Sequence, residues 1–180
     1  MQFNWDTHST IAVPQGEHNT SAQSEVVFSA LLGSCVSVCL HDQQNKIGGM
    51  NHFLLPGGDG NASSGEKFGA YAMEILINEL VNSQANREAL TAKVFGGSAM
   101  SIAHEKIGRS NGEFAIRFLQ SEGIECTGSS LGGTLARRIQ FHPTSGRVRQ
   151  FLVPEKVDEK PTAVQPTSKS NAVEPDIVLF

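Results

Sequence analysis

The chain has 180 residues, of which 14 are basic and 18 acidic, and its formal net charge is −4 with the histidines neutral. This length suits a single domain with its own core, and the acidic balance gives no electrostatic footprint for binding nucleic acid. Three cysteines are an odd number, which argues against a disulfide framework. No apolar run approaches the roughly 18 residues of a membrane span, so we expect a cytoplasmic protein without membrane insertion.

Three segments are expected along the chain. Residues 1–24 are mostly polar and predict a loose lead-in that adds at most an edge strand. Residues 25–153 alternate apolar runs with turn-forming residues and are expected to form the folded domain. Residues 154–180 hold four of the seven prolines among charged and hydroxyl side chains, which is typical of a disordered tail. The apolar last four residues either add a strand to their own sheet or a partner's, or have no role.

The domain is expected to begin with a strand at 25–30 and a β-hairpin. In the hairpin, apolar strands at 36–40 and 47–55 flank the polar, turn-forming residues 42–46. The glycine- and serine-rich run 57–67 follows, and predicts a flexible loop that is either a lid over the site or a plain connector.

Beyond this loop, hydrophobic periodicity predicts two helices and four strands. The second helix is expected to stop before a glycine, a common helix end. The helices are expected at 67–84 and 109–122, the strands at 91–95, 124–127, 137–141 and 147–153, and a turn at 129–133.

The register of the hairpin brings one cysteine and one histidine together. We expect Asp42 to face Ile47 across the turn. In that register Cys35 lies opposite Leu54, and His52 is its diagonal neighbour on the same face, roughly 7 Å away. The thiol and the imidazole are then close enough to touch.

A thiol and an imidazole in contact are typical of a cysteine nucleophile and its base, because the thiol is mostly protonated at neutral pH. Gly33 and Ser34, directly before Cys35, allow a tight turn whose main-chain N–H groups stabilise an oxyanion. The alternative is that Cys35 is a small buried apolar residue and His52 an ordinary strand histidine. Ser29 is either a third member that orients His52 by a hydrogen bond or a plain strand serine.

Three other sets of residues in the sequence could form binding sites, and each has an ordinary structural explanation. Cys35, Cys39, His41 and His52 resemble a metal-ligand set, but strand spacing puts the two cysteines about 13 Å apart, too far for one zinc ion. Three glycine pairs fit no phosphate-binding frame, and close backbone approach explains them better. The basic residues on two adjacent strands form either a solvated sheet face or a patch for an acidic partner; they are Arg137, Arg138, Arg147 and Arg149.

Five stretches in order resemble the CheD family of bacterial chemoreceptor glutamine deamidases. They are LGSCVSVCLHD, IGGMNHFLLP, AKVFGGSAM, IGRSNGEFAIRFLQSEGI and LGGTLARRIQFHPTSGRVR, which lie between residues 26 and 149. The resemblance implies a layered α/β fold with β-hairpin-rich sheets and packed helices. It also implies a hydrolase that needs no metal or organic cofactor and converts glutamine side chains on the cytoplasmic helices of chemoreceptors to glutamate.

The resemblance assigns the nucleophile to Cys35 and the base to His52. The family's third residue is ordinarily a threonine, and Ser29 stands at that position; the family's usual acidic residue before the late LGG is Ser130 here. Some members bind a chemotaxis phosphatase of the CheC type. The same chemistry on a glutamate methyl ester would be a methylesterase, and the other open alternative is a non-catalytic adaptor that binds receptors or such a phosphatase.

Overall fold

The computed structural model describes residues 3–56, 62–154 and 177–180, which form ten strands and two helices. The helices are α1 (Ala62–Asn82) and α2 (Ile102–Ser121). The strands are β1 (Ser9–Ala12), β2 (His18–Ser21), β3 (Val26–Leu32), β4 (Val36–Asp42), β5 (Ile47–Asn51), β6 (Leu90–Gly96), β7 (Glu125–Leu131), β8 (Ala136–His142), β9 (Arg147–Val153) and β10 (Ile177–Leu179).

The strands form two five-stranded sheets. The first has the order β1-β3-β8-β9-β10 and the second the order β2-β5-β4-β6-β7. One face of the second sheet packs against both helices, and its opposite face packs against the first sheet. The three layers confirm the fold class expected from the sequence, a single layered α/β domain.

Burial on both faces explains why the first five residues of β4 are mostly apolar. Val36, Val38 and Leu40 point into the core shared with the helices, whereas Cys35 and Cys39 belong to the core between the two sheets. This alternation follows from the two-residue period of a strand. It places the Cys35 thiol between the sheets, on the side away from the helices.

The expected hairpin register is confirmed. Asp42 pairs with Ile47 and Cys39 with Met50 along β4 and β5. An isolated bridge between Val36 and Phe53 keeps the same register further out, toward the thiol.

Both helices begin earlier in the chain than their periodicity predicted. Helix α1 starts at Ala62, so the prediction of a loop is wrong for residues 62–67, and residues 57–61 lie outside the described part. The helical periodicity also predicts Phe68 and Tyr71 on the apolar face, but they are 42% and 63% exposed. Helix α2 ends before Gly123 as expected, at a φ of 68° that favours glycine.

The predicted turn at 129–133 is wrong in its first half, because β7 continues through Leu131. The four arginines also do not form one patch: Arg137 is 3% exposed, whereas Arg138 and Arg147 are exposed. Neighbouring residues of a strand point to opposite faces, so Arg137 is turned away from the face that Arg138, Arg147 and Arg149 share.

The two ends of the chain both contribute strands. The stretch expected to be a lead-in supplies β1 and β2, which are edge strands of different sheets. At the other end β10 pairs antiparallel with β9, so the apolar last residues add a strand to their own sheet. The expected disordered tail lies, over residues 155–176, outside the described part. Within that part, neither helix is long and apolar enough to cross a membrane.

Candidate active site

Cys35 lies in the turn between β3 and β4, and this turn is fastened to the loop that follows β6. The carbonyl oxygen of Gly33 accepts a hydrogen bond from the Ser98 N–H, and that of Cys35 accepts one from the Gly97 N–H, both at 2.8 Å. A Cβ atom on Gly96 would lie 2.1 Å from the Cys35 carbonyl oxygen. This contact explains one of the glycine pairs as a close backbone approach.

The imidazole of His52 connects the thiol to the main chain of the N-terminal segment. Its Nε2 lies 2.9 Å from Cys35 Sγ, and its Nδ1 lies 2.9 Å from the carbonyl oxygen of Val13. Because a carbonyl oxygen only accepts, Nδ1 carries the proton and donates it to Val13. Nε2 is therefore the acceptor that faces the thiol, as a general base must be.

Residues 13–17, which cross from the first sheet to the second, also hold the backbone of His52. The Gly16 N–H donates to the His52 carbonyl at 2.7 Å, and the His52 N–H donates to the Glu17 carbonyl at 3.0 Å. We call residues 13–17 the crossing segment. The orientation of the imidazole thus depends on a part of the chain that the sequence analysis treated as a lead-in.

Burial favours the neutral forms of both groups. It raises the pKa of the Cys35 thiol, which main-chain hydrogen bonds from Gly33 and Cys35 act to lower. It also lowers the pKa of His52, and the hydrogen bond to the Val13 carbonyl acts in the opposite direction. Both shifts favour a neutral thiol beside a neutral imidazole.

Ser29 reaches this site through its main chain. Its carbonyl oxygen accepts a hydrogen bond of 2.8 Å from the Val13 N–H, next to the carbonyl that holds His52. The expected hydrogen bond from the Ser29 hydroxyl to His52 is not among the contacts of the described residues, since both ring nitrogens are occupied by Val13 and Cys35. A catalytic role for Ser29 stays a prediction.

Two asparagines that no sequence motif singled out border the site. Asn111 of α2 bonds the Ser34 carbonyl and the Leu55 N–H, while the side chain of Asn51 accepts a hydrogen bond from the Val38 N–H. Asn111 had a signal in the sequence, because a polar residue there interrupts the apolar stripe of α2 that continues with Phe114, Ala115 and Phe118. The Val13 carbonyl had none, since any residue has a carbonyl.

The four side chains considered as metal ligands separate into two places. Cys35 and His52 are in contact, whereas Cys39 and His41 line a different cavity of about 270 Å³. No group of three or more histidine, cysteine, aspartate or glutamate side chains within the described ranges is arranged to hold a metal ion.

Comparison with known proteins identifies the family. A family model described as CheD chemotactic sensory transduction matches residues 54–150. A protein of Caulobacter sp. (strain K31), named probable chemoreceptor glutamine deamidase CheD, is 47% identical over 171 residues, which cover 91% of each chain. This chain belongs to the CheD family.

Two further CheD relatives, both named probable chemoreceptor glutamine deamidases, are similar. That of Acidiphilium cryptum is 51% identical over 79% of this chain and 77% of its own, and that of Ruegeria sp. 43% identical over 96% of both.

Solved structures give more distant likenesses of the CheD chain. Bacillus licheniformis hypothetical protein YfiH has a TM-score of 0.44 at 14% identity, covering 65% of this chain and 51% of its own. Neisseria meningitidis protein NMB0706 has a TM-score of 0.45 at 12% identity, covering 71% of this chain and 65% of its own.

Proposed function

We propose that this chain is a chemoreceptor glutamine deamidase that acts in the cytoplasm as a cysteine hydrolase. It converts the carboxamides of selected receptor glutamine side chains to carboxylates and releases ammonia. The names of its CheD relatives support the substrate class. The observation that carries the chemistry is the 2.9 Å contact between His52 Nε2 and Cys35 Sγ.

In the first half-reaction, Cys35 Sγ attacks the carboxamide carbon while its proton passes to His52 Nε2. The carbonyl π bond opens, and a tetrahedral intermediate with a negatively charged oxygen forms. His52 then gives the proton to the nitrogen, the C–N bond breaks, and ammonia leaves. The product of this half is a thioester between Cys35 and the former glutamine side chain.

In the second half-reaction, water attacks the thioester carbon and His52 accepts a proton from it. The C–S bond then breaks, the sulfur regains a proton, and the receptor keeps a glutamate. An activated thiol and one proton carrier suffice for these steps, so the mechanism uses no metal or organic cofactor.

Stabilisation of the negatively charged oxygen of the intermediate is assigned to main-chain N–H groups of the turn that contains Gly33 and Ser34. Main-chain hydrogen bonds from Gly33 and Cys35 act to lower the pKa of the thiol, and the closeness of these N–H groups to the sulfur supports this assignment. Ser29 is assigned a supporting role, in which it holds the Val13 main chain and through it the imidazole.

The test is to mix the full chain with a receptor cytoplasmic fragment and follow its peptides by mass spectrometry. Deamidation replaces a carboxamide –NH₂ by –OH at defined glutamines, and we expect that change with the wild type but not with Cys35→Ala. Cys126→Ala is the matched control, because Cys126 is an exposed cysteine outside the site. Loss of receptor methyl esters in the same peptides would reveal the accompanying methylesterase activity.

Unchanged receptor peptides together with retained receptor binding would overturn the proposal and favour the adaptor. In that event a phosphatase of the CheC type is the second partner to assay for binding.

A further inference from the structure

The hydrogen-bond ladder of the hairpin that contains the site does not continue beyond Val36 and Phe53, although the register predicts a further pair. Val36 and Phe53 form a regular hydrogen-bonded pair, with both N–H to carbonyl distances at 2.9 Å. In an antiparallel ladder the next such pair lies two residues further along each strand, which here is Ser34 and Leu55. The Leu55 N–H would then donate directly to the Ser34 carbonyl.

The carboxamide of Asn111 stands between these two groups instead. Its Oδ1 accepts a hydrogen bond of 2.8 Å from the Leu55 N–H, and its Nδ2 donates one of 2.7 Å to the Ser34 carbonyl. Asn111 is 0% exposed, and its backbone belongs to α2 in the adjacent layer. The two strands are therefore held apart by the width of one amide group, and both of their polar groups are still satisfied.

A second asparagine opens the ladder on the other side of the Val36–Phe53 pair. The Val38 N–H donates to Asn51 Oδ1 at 3.0 Å rather than to a main-chain carbonyl. Between these two openings lie Cys35 and His52. The main-chain N–H and carbonyl of His52 face the crossing segment and not β4, because these groups alternate between the two sides of a strand and those of Phe53 face Val36.

We propose that Asn111 is a positioning residue whose carboxamide sets the separation of the Cys35 turn from the His52 strand, and thereby the Sγ to Nε2 contact. The inference rests on the proposed function for the reaction that this contact serves. Asn111 touches neither reacting atom. Its effect passes through Ser34, which precedes Cys35, and through Leu55, three residues after His52.

The decisive variant is Asn111→Asp, because its ability to bridge the two strands depends on pH. A protonated carboxyl can donate to the Ser34 carbonyl and accept from the Leu55 N–H, whereas a carboxylate cannot donate. Burial raises the pKa of a carboxyl, so this change occurs above the usual value of about 4. Because a new carboxylate near Cys35 also disfavours the thiolate through its charge, Asn111→Ala is measured alongside, since it removes the bridge without adding a charge.

The readout is the rate at which iodoacetamide alkylates Cys35, measured against pH in a Cys126→Ala background and located by peptide mass spectrometry. For Asn111→Asp we expect a rate close to that of the Asn111 chain at acidic pH, and a rate lower by about tenfold or more at alkaline pH. Asn111→Ala should be slower by about tenfold or more at every pH, since it cannot bridge the strands.

The matched control is Asp42→Asn, another change between a carboxyl and a carboxamide at a fully buried side chain, located at the far end of β4. It should leave the alkylation profile of Cys35 unchanged. Circular dichroism at each pH monitors the fold, and a loss of rate that follows unfolding would assign Asn111 to stability alone and overturn the inference. Rates of Asn111→Asp within about twofold of the parent at all pH values would overturn it as well.

The alkylation comparison is independent of the proposed reaction. If the wild type left receptor glutamines unmodified, the proposed function would fail while the test of Asn111 kept its meaning.

Discussion

The guanidinium of Arg137 donates hydrogen bonds to both the carbonyl oxygen and the hydroxyl of Ser130, with 2.9 Å between Nη1 and the hydroxyl oxygen. It also donates to the Ser98 hydroxyl at 3.0 Å and to the Gly132 carbonyl. None of the ion pairs in the described part of the chain includes Arg137. Burial lowers the pKa of this guanidinium, which is a buried cation held by neutral acceptors.

We therefore expect Ser130→Asp to stabilise the protein by supplying the missing counter-ion. A hydrogen bond between charged groups contributes about 1.5 to 3 kcal/mol, against about 1 kcal/mol for a neutral one, so the gain should be on the order of 1 kcal/mol. Urea unfolding of the two proteins measures it. Ser129→Asp is the matched control, because Ser129 is the exposed neighbour on the same strand. A Ser130→Asp protein no more stable than Ser129→Asp would contradict the expectation.

Substitution of the base tests how much the imidazole contributes. His52→Gln should lower the deamidation rate by about 10² to 10⁴, the usual contribution of a general base, without unfolding the protein. The corresponding change at the half-buried His41, His41→Gln, should leave the rate nearly intact, because His41 lines the separate cavity. Equal losses in the two variants would indicate a general effect on the fold.

The pH dependence of the reaction follows from the lowered pKa of His52. The base is the neutral imidazole, which exists above its pKa, and burial moves that pKa below the ordinary value of about 6.5. We expect kcat/KM to persist as pH falls through 6.5 and to decline only at lower pH.

Folding stability follows the same direction. A histidine whose folded pKa is lowered contributes stability that is fully present above the unfolded value of about 6.5 and is lost as pH falls through the folded pKa. The predicted decline of kcat/KM is measured by steady-state rates against pH, and His52→Gln shows which inflection belongs to His52. Urea unfolding against pH measures the predicted change in stability. An acid inflection above about 6.5 would mean that the imidazole is stabilised as a cation.

Two glycines with similar backbone geometry separate stability from positioning. Gly16 has a φ of 89° and Gly123 a φ of 68°, and an added Cβ would meet nothing within 4 Å at either position. Alanine should destabilise both sites by a comparable amount, on the order of 1 kcal/mol, through backbone strain alone. Only Gly16→Ala should also lower the deamidation rate, because the Gly16 N–H holds the His52 carbonyl.

Thermal unfolding and initial rates on both variants provide this comparison. If both variants lost activity only in proportion to their loss of stability, the crossing segment would have no role in orienting His52.

Patterns within about ten residues were the most reliable guides to this fold. The turn at 42–46 fixed the hairpin register, and from it followed the approach of His52 to Cys35. Helix starts were less predictable, because Ala62 and Ile102 begin helices in stretches whose polar and glycine residues hide the periodicity. The first turn of α2 is also largely exposed, with Ile102 93% exposed, so it adds no buried stripe that periodicity could reveal.

The groups that hold the imidazole in place could not be predicted from the sequence. The group that orients His52 is the carbonyl of Val13, and its placement depends on a crossing between sheets that no local pattern encodes. Asn111 acts from 56 residues away in the chain, through two hydrogen bonds that exist only after α2 has packed. Such contacts are tertiary, so composition and spacing reveal the reacting groups but not the framework around them.

The crossing segment gives the site one further property. It follows β1 of the first sheet and leads into β2 of the second sheet, so we expect the imidazole to keep its direction only while the two sheets stay packed together. A treatment that separates the two sheets should therefore remove the contact between His52 and Cys35 even while both helices remain folded. The reactivity of Cys35 Sγ should thus report whether the first sheet is packed against the second.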